Sequence, residues 1–356
     1  MKPEWKAFLI DAGAEFDAEQ RVGSFGNPDQ ERALCLSGTF LCDLSHRGLI
    51  AAWGEDAAHF LQNMLSNDVR LINENQAQMT ALCSPKGRML AVFRLFQRQG
   101  TYYLELPRET LESTLKRLRL FVLRAKVSIE DADDALVRIG LAGPRASELL
   151  GERLGALPQA PGDVLNLPDI GIIRLPGPVP RYEIFGELAP MQALWQALDV
   201  HAAPVGANAW ELLDILAGLP EVYPATVEAF VPQMANLDLV GGVSFKKGCY
   251  PGQEVVARMH YLGKPNRRMY AGVIDSDRLP APGTAVHSDQ MPGQEGGEIV
   301  RAAHHPDGHV RVLAVMRLGA IGGKLSLGTP DGPCLILDPG SLPPELETAP
   351  SEPTPH

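Results

Sequence analysis

Short β-rich segments, separated by turns rich in glycine and proline, run through much of this chain and limit the folds open to it. The 356 residues include 35 glycines and 30 prolines. Strand-like runs alternate with such turns across residues 131–200, and the same pattern resumes after Pro265. Short strands at this spacing predict a small all-β unit, a barrel or a sandwich, at the C-terminal end.

Apolar residues at helical spacing occur between these strand-like segments. A stripe at i, i+4, i+7 and i+11 predicts a helix over residues 111–122, and a second helical pattern covers 208–218. Residues 79–106 have the pattern of antiparallel strands. Shorter helices are expected near 145–154 and 188–198. The sequence therefore predicts a mixed α+β protein with a terminal β module.

The charge balance and composition exclude several classes of protein. Thirty-two Lys and Arg against 43 Asp and Glu give a formal charge of −11, which disfavours a general nucleic-acid coat. The fractions of hydrophobic residues (45%) and charged residues (21%) are those of a soluble globular protein. No apolar run approaches the roughly 18 residues of a membrane-spanning helix, and residues 1–30 lack a signal-type apolar stretch.

The five cysteines are widely scattered and form no C-x-x-C pair. They give neither a disulfide framework nor a contiguous ligand set for zinc or an iron–sulfur cluster. We therefore expect a reduced, cytoplasmic protein with no tightly bound metal and no contact with a membrane.

Common catalytic motifs are missing from the sequence. There is no G-x-x-x-x-G-K-[ST] phosphate loop, no G-x-G-x-x-G, no H-E-x-x-H and no G-x-S-x-G. His304 and His305 lie in a Gly/Pro/Asp-rich turn, where a solvent-exposed pair is expected. ATPases, nicotinamide dehydrogenases, zinc hydrolases and serine hydrolases all lose support.

A basic stretch from Ser244 to Tyr270 interrupts this acidic chain. It contains six Lys or Arg and a single acid, Glu254. Clustered cations in a concave site attract an anionic ligand, whereas on a flat surface they are simply solvated. The six cations are Lys246, Lys247, Arg258, Lys264, Arg267 and Arg268.

Cys249 is the candidate reactive group of this stretch. It lies between Gly248 and Tyr250, shortly after two lysines and three residues before Gly252. Nearby ammonium groups and free backbone N–H donors favour the thiolate, and glycines let the backbone approach a ligand closely. The alternative is a buried, inert cysteine, which is the expectation for the other four. These are Cys35, Cys42, Cys83 and Cys334.

Two further features have a functional and a plain interpretation. Gln253 and Glu254 could fix ligand amides, whereas Glu254 and Arg258 have the i, i+4 spacing of a simple helical ion pair. The basic helix over residues 116–126 could contact RNA, although a solvated helix face is far commoner.

The segment Lys247-Gly248-Cys249-Tyr250-Pro251-Gly252-Gln253-Glu254, followed by Arg258 and Tyr261, resembles the signature of the YgfZ family. These are folate-binding proteins linked to iron–sulfur cluster assembly and tRNA modification, and they are related to the glycine-cleavage T-protein. Weaker blocks occur in the expected order, so the resemblance runs from about residue 40 to about residue 335. The blocks are residues 56–69, 86–96, 217–220 and 230–245.

The resemblance implies three domains in a cloverleaf around a central folate cavity, with a C-terminal β-barrel. The first two domains would each combine two separate segments. The last 18 residues hold six prolines and three glutamates, and we expect a disordered tail there. The expected divisions are 1–45 plus 133–200, 46–132 plus 201–262, the barrel over 263–338 and the tail over 339–356.

The resemblance also implies a function and a site. Members support assembly or repair of iron–sulfur enzymes, including those that thiolate tRNA, and they use tetrahydrofolate. We expect an accessory factor rather than an enzyme, with client enzymes and the assembly machinery as partners. Trp210 would stack on the folate, with core packing as the alternative. The functional thiol would be Cys249, surrounded by Lys247, Gly248, Tyr250, Gly252, Gln253, Glu254 and Arg258.

The sequence departs from the T-protein pattern at two places. Leu90-Ala91 stands where T-proteins carry an acidic pair, and leucine cannot accept a proton. Leu216 stands where the E-A-G-x-P turn has glutamate, so folate would be held differently or weakly. A folate-dependent aminomethyltransferase or demethylase is therefore the second hypothesis, and a tRNA-binding module that uses residues 116–126 and 246–268 is the third.

Overall fold

A computed structural model of the chain describes residues 1–263, 265–338 and 340. Helices and strands are numbered in chain order. The α-helices are α1 Pro3–Asp11, α2 Pro28–Ser37, α3 Ala57–Met64, α4 Arg108–Leu120, α5 Ala146–Leu154, α6 Leu188–Asp199, α7 Ala207–Leu216 and α8 Gln253–Leu262. The strands are β1 Glu15–Phe16, β2 Val22–Ser24, β3 Phe40–Asp43, β4 Arg47–Trp53, β5 Gln78–Cys83, β6 Met89–Arg98, β7 Thr101–Pro107, β8 Ser128–Asp131, β9 Val137–Ala142, β10 Val164–Asn166, β11 Ile170–Leu175, β12 Arg181–Gly186, β13 Ala203–Val205, β14 Arg267–Ile274, β15 Ala285–Ser288, β16 Glu295–His304, β17 Val310–Arg317, β18 Leu325–Leu327 and β19 Cys334–Leu337.

A six-stranded sheet has the order β10-β11-β12-β9-β3-β13. Its neighbours are antiparallel except for β13, which lies parallel to β3. Trp5 from α1 and Trp195 from α6 meet edge to face in the apolar layer on one side of this sheet. Strand β3 therefore joins a sheet whose other strands come from residues 137–205.

A five-stranded antiparallel sheet has the order β5-β6-β7-β4-β8. Strands β6 and β7 form a hairpin whose turn residues, Gln99 and Gly100, both have positive φ, as tight hairpin turns require. Helix α4 packs on β4 at Gly48, where Leu111 fills the space of a missing side chain. The predicted strands within 79–106 and the helix over 111–122 are confirmed.

The C-terminal strands form a closed antiparallel barrel in the order β14-β17-β16-β15-β18-β19. Alternating residues of these strands point inward and make an apolar core, which includes Ile299, Val312 and Leu325. The predicted all-β module is thus confirmed as a barrel.

Buried ion pairs connect the two sheets, α7 and the barrel. Arg94 of β6 contacts Glu183 of β12 at 2.7 Å, so this pair joins the two sheets. Asp214 of α7 contacts Arg181 of β12 at 2.8 Å and Arg301 of β16 at 3.2 Å. These side chains are at most 7% exposed, and buried charges persist only when they are paired in this way.

The mixed α/β architecture and the C-terminal barrel agree with the sequence analysis. The cloverleaf arrangement and the exact domain divisions stay predictions. The tail predicted over residues 339–356 lies outside the described residues, apart from Gly340. Within the described part of the chain, no helix has the length and apolar character needed to cross a membrane.

Candidate functional site

The loop that carries Cys249 is packed on the turn between β5 and β6. Gly252 has φ of +80°, and a side chain there would come within 2.4 Å of the Ser84 carbonyl oxygen and 2.5 Å of the Gly87 Cα. Only glycine fits this close contact and this left-handed backbone. Gly252 therefore joins two parts of the backbone, while Gly248 lies in open space.

Lys247 anchors the same loop from within. Its side chain is buried, and its ammonium donates hydrogen bonds to the carbonyl oxygens of Gln62 (2.6 Å), Leu65 (2.5 Å) and Asn67 (3.0 Å). An ammonium has three N–H donors, so all of them are used within the protein. Burial lowers the pKa of Lys247 to about 8. The geometry makes Lys247 an anchor of the loop rather than an open cation.

The other motif residues take different positions. Tyr250 is buried beside the Lys247 ammonium, 5.2 Å from its ring centre, and burial raises the pKa of its phenol. The Gln253 amide lies 3.5 Å from the Lys247 carbonyl oxygen. Glu254 and Arg258 are exposed on α8, and the described structure shows no ion pair between them. The i, i+4 pair considered from the sequence is therefore not formed.

Cys249 is exposed, whereas Cys35, Cys42 and Cys83 are buried. Burial raises the pKa of the Cys35 and Cys83 thiols to about 12, which keeps them protonated and inert, as expected. The expectation of burial is wrong for Cys334, which is exposed. It begins β19, where strand alternation directs Leu335 into the barrel and Cys334 outward.

The expectation of a solvent-exposed histidine pair is also wrong. His304 and His305 are both partly buried. The backbone of His304 is bracketed by the Asn208 side chain, which accepts from its N–H at 2.9 Å and donates to its carbonyl at 3.1 Å. His305 contacts Asp307 at 2.8 Å.

A cavity of about 750 Å³ is lined in part by Asn67, one of the residues whose backbone carbonyl accepts from Lys247. Its lining is apolar apart from a few amides, backbone groups and one cation, Arg94. Arg94 already contacts Glu105 and Glu183. The Nε2 atom of Gln78 is buried in the wall without a hydrogen-bond partner among the described residues. The lining includes Asn67, Gln76, Gln78, Arg94, Ala217 and Leu219.

Asn67 connects this cavity to the Cys249 loop. Its side-chain amide donates to the carbonyl oxygens of Met79 (2.9 Å) and Gly241 (2.7 Å), which also line the cavity. The backbone carbonyl oxygen of Asn67 accepts the hydrogen bond from Lys247. The loop is therefore fixed to the cavity wall, although Cys249 itself is not a lining residue.

The structure does not bring the predicted basic residues into this cavity. Lys264 lies outside the described residues, and none of the other five cations in residues 244–270 lines the cavity. The Lys247 ammonium already donates to three carbonyl oxygens, and the guanidinium of Arg268 is paired with Asp238 at 2.8 Å. This cavity is therefore lined by apolar side chains and amides rather than by the cations of residues 244–270. Sequence reasoning missed Gln78 because a glutamine in a strand carries no motif.

Trp210 is only 1% exposed and lies in the core. The guanidinium of Arg181 lies over its ring at 5.2 Å, and its ring packs directly on the backbone of Gly140. No ring face is open to a ligand, so the core-packing alternative is favoured over stacking on folate.

The positions that depart from the T-protein pattern also lie away from the cavity lining. Leu90 and Ala91 pack in the apolar core of the five-stranded sheet. Leu216 lines a separate cleft beside β14 and β19, whereas its neighbours Ala217 and Leu219 line the cavity.

The fold as a whole matches that of a known class of protein. The aminomethyltransferase T of the glycine cleavage system from Bartonella henselae superimposes with a TM-score of 0.77, over 94% of this chain and 95% of that chain, at 19% identity. Residues 12–159 match the GCVT N-terminal domain family. The chain therefore has the T-protein fold.

Curated relatives identify the family within that class. The tRNA-modifying protein YgfZ of Colwellia psychrerythraea is 37% identical over 66% of this chain and 72% of the relative. The protein of the same name from Enterobacter sp. (strain 638) is 31% identical over 78% of this chain and 85% of the relative. The chain belongs to the YgfZ family.

Proposed function

We propose that this protein binds tetrahydrofolate and supports assembly or repair of iron–sulfur clusters in client enzymes, including enzymes that thiolate tRNA. Cys249 is its functional thiol. The observation that carries the proposal is the exposed Cys249 on a loop that Lys247 fixes to a ligand-sized cavity. Relatives named as tRNA-modifying proteins support the tRNA connection.

The cavity suits the ring system of a folate. Its volume of about 750 Å³ is within the range of about 300–1,000 Å³ typical of small-molecule sites. Gln78 lines the cavity, and its Nε2 atom has no hydrogen-bond partner among the described residues, so it would donate to a heteroaromatic acceptor once the side chain turns inward. Gln78 would hold a polar edge of the ring system, and Ala217 and Leu219 its apolar faces. Tetrahydrofolate, when bound, supplies one-carbon units.

Cys249 acts on the outer surface in this proposal. An exposed thiol can reach a protein-sized client, whereas a thiol inside the cavity could meet only a small molecule. A single cysteine supplies one ligand, so any cluster that contacts Cys249 takes its other ligands from the client. The macromolecular partners are therefore the iron–sulfur enzymes, in the cytoplasm, rather than nucleic acid.

The cavity lining does not favour the alternative, aminomethyl transfer. Among the described residues that line it, none carries a carboxylate, and the Leu90-Ala91 position is in the core. General base catalysis needs a proton acceptor within hydrogen-bond reach of the reacting atom. The accessory role thus has more support than a T-protein type of reaction.

The folate proposal predicts saturable binding of tetrahydrofolate that depends on Gln78. Replacing this residue (Gln78→Leu) removes the unpartnered donor, so affinity should fall by about threefold to tenfold, the usual worth of one hydrogen bond. Anaerobic isothermal titration measures it. Gln76→Leu is the matched control, because the Gln76 amide already donates to Ala77. If the folded wild-type protein shows no binding, the cavity does not hold folate.

The role of Cys249 predicts a loss of activity in cells. When the Cys249→Ala variant is expressed in a strain that lacks the gene, the level of thiolated tRNA nucleosides should stay as low as in that strain without any copy of the gene. Cys334→Ala is the control, since Cys334 is the other exposed cysteine, and it should restore the wild-type level. Mass spectrometry of tRNA nucleosides measures both. A wild-type level of thiolated nucleosides with Cys249→Ala would show that the thiol is not needed for this function.

A further inference from the structure

Helix α8 is held to the rest of the protein along a narrow face. Val256 is its only buried residue. Gln233 donates a hydrogen bond to the Val256 carbonyl oxygen at 2.7 Å, and the His260 ring stacks on Phe245 with centroids 3.7 Å apart. Val255 also packs on Gly87, and Tyr261 lies edge-on to the rings of Phe245 and His260.

Several apolar and aromatic side chains of α8 are nevertheless largely exposed. Val255 is 39% exposed, Tyr261 is 64% exposed and Leu262 is 83% exposed. Together with Arg258 they lie at helical spacings of three and four residues, so they share one side of the helix. Contiguous exposed apolar side chains of this kind mark interaction sites. We call Val255, Arg258, Tyr261 and Leu262 the α8 face.

Cys249 precedes the first residue of α8, Gln253, by four positions. The Gln253 amide at the start of α8 contacts the Lys247 carbonyl oxygen, while Phe245 contacts His260 near the end of the helix. Residues 245–249 thus run alongside α8 in the opposite direction. The exposed side chains of Lys246 and Cys249 lie on this neighbouring segment.

The charges around the α8 face are mainly positive. Lys246, Arg258 and Lys86 are exposed there, and Lys86 comes from the turn that contacts Val255 through Gly87. Glu254 is the one acid of α8. This local excess stands in a chain with a formal charge of −11. Such a surface complements a partner that presents carboxylates around an apolar patch.

We propose that the α8 face is the docking site for an iron–sulfur client protein with an acidic rim, and that docking places the client beside Cys249. This inference rests on the proposed function and deepens it. Leu262 and Val255 favour a protein over RNA, because aliphatic side chains gain from burial in a dry interface. The stacked rings of Phe245 and His260 cover each other's faces and leave less surface for nucleobases.

The test measures binding of a purified tRNA-thiolating iron–sulfur enzyme from the same organism. The double variant Tyr261→Ser, Leu262→Ser should weaken its affinity by about tenfold or more, as expected for central apolar anchors. Arg258→Glu should weaken it as well and flatten its salt dependence. Neither change touches the cavity or Cys249, and circular dichroism checks that the variants fold.

The end of α4 and the exposed turn after it supply matched controls. Leu120 and Leu123 are 67% and 88% exposed, and Arg124 is also exposed. The double variant Leu120→Ser, Leu123→Ser and the single variant Arg124→Glu should bind the enzyme within about twofold of wild type.

Each other outcome overturns the docking proposal. Enzyme binding that the α8 variants leave unchanged would place the docking site on another surface. No enzyme binding at all would mean that this protein does not dock the enzyme. A loss of affinity for a tRNA transcript instead of the enzyme would assign the face to RNA. A solution dimer that the same substitutions dissociate would assign the α8 face to a second copy of this chain. Tighter enzyme binding after deletion of residues 341–356, together with unchanged binding in the α8 variants, would also exclude the docking proposal. The proposed function fails separately, through full activity of Cys249→Ala in cells.

Discussion

A single ammonium group holds the Cys249 loop in place. The three carbonyl oxygens that accept from Lys247 belong to residues 62–67, about 180 positions earlier in the chain. Its neighbour Lys246 is exposed and makes no such contacts. Two adjacent lysines of the motif thus have opposite roles, one structural and one on the surface.

We therefore expect Lys247→Met to destabilise the protein strongly. The substitution leaves three carbonyl oxygens without their donor, at a cost of about 2–4 kcal/mol in the free energy of unfolding. Lys246→Met is the matched control and should change it by less than about 0.5 kcal/mol. Urea unfolding measures both. Equal stability of the two variants would contradict the anchoring role.

The pH dependence of stability supplies a second readout for the same pair of variants. Burial lowers the pKa of Lys247 to about 8 from 10.5, so the unfolded chain retains a proton that the folded protein loses between these values. Stability rises with pH wherever the unfolded state binds more protons. The wild-type protein should therefore gain stability relative to Lys247→Met between about pH 8 and 10.5, whereas Lys246→Met should follow the wild type.

At the scale of elements, the contact between the motif turn and the β5–β6 turn depends on Gly252 and Gly87. Gly252→Ala brings a methyl group against the Ser84 carbonyl oxygen and forces a non-glycine residue to φ of +80°. We expect a loss of about 2–4 kcal/mol, since a steric clash adds to the backbone cost. Gly100→Ala, with φ of +74° and no atom within 4 Å, should show the backbone cost alone, about 1 kcal/mol. Thermal unfolding compares them, and equal losses would exclude the clash.

The sequence predicts elements well where their signals are local. The β6–β7 hairpin follows from a β-rich run, a Gln99-Gly100 turn and a second run, and α4 follows from its apolar stripe. The role of Lys247 was not predictable, because its partners lie far away in the chain and a lysine beside a glycine and a cysteine resembles a ligand-binding cation. Cys334 was placed wrongly because strand alternation fixes two faces but does not say which faces the core.

At the scale of the whole molecule, buried ion pairs join elements that are distant in sequence. Arg94 bridges Glu105 of the five-stranded sheet and Glu183 of the six-stranded sheet. The pKa of Glu183 is raised by burial and by the nearby Glu105 carboxylate, whereas Arg94 and Arg47 lower the pKa of Glu105 against the effect of burial. The Glu183 carboxyl therefore takes up a proton more readily than the Glu105 carboxyl. Charged residues within strands gave no sign of this network in the sequence, since such residues usually face solvent.

We expect Arg94→Met to lower the free energy of unfolding by about 3–5 kcal/mol, because it leaves the Glu105 carboxylate short of a buried partner. Glu183→Gln keeps a neutral group of the same shape and should cost less than about 1 kcal/mol. Calorimetry of the two variants measures the difference. Similar losses would mean that Glu183 is ionised and that the pairing is more symmetrical than the structure indicates.

The positions of Cys249 and the cavity also bear on the order in which a small molecule and a macromolecular partner would bind. The thiol opens on the surface, while the cavity is lined by other residues. A small molecule in the cavity and a macromolecule on the thiol therefore do not compete for space. Under the proposed function either could bind first, and a compound that blocks one position would leave the other accessible.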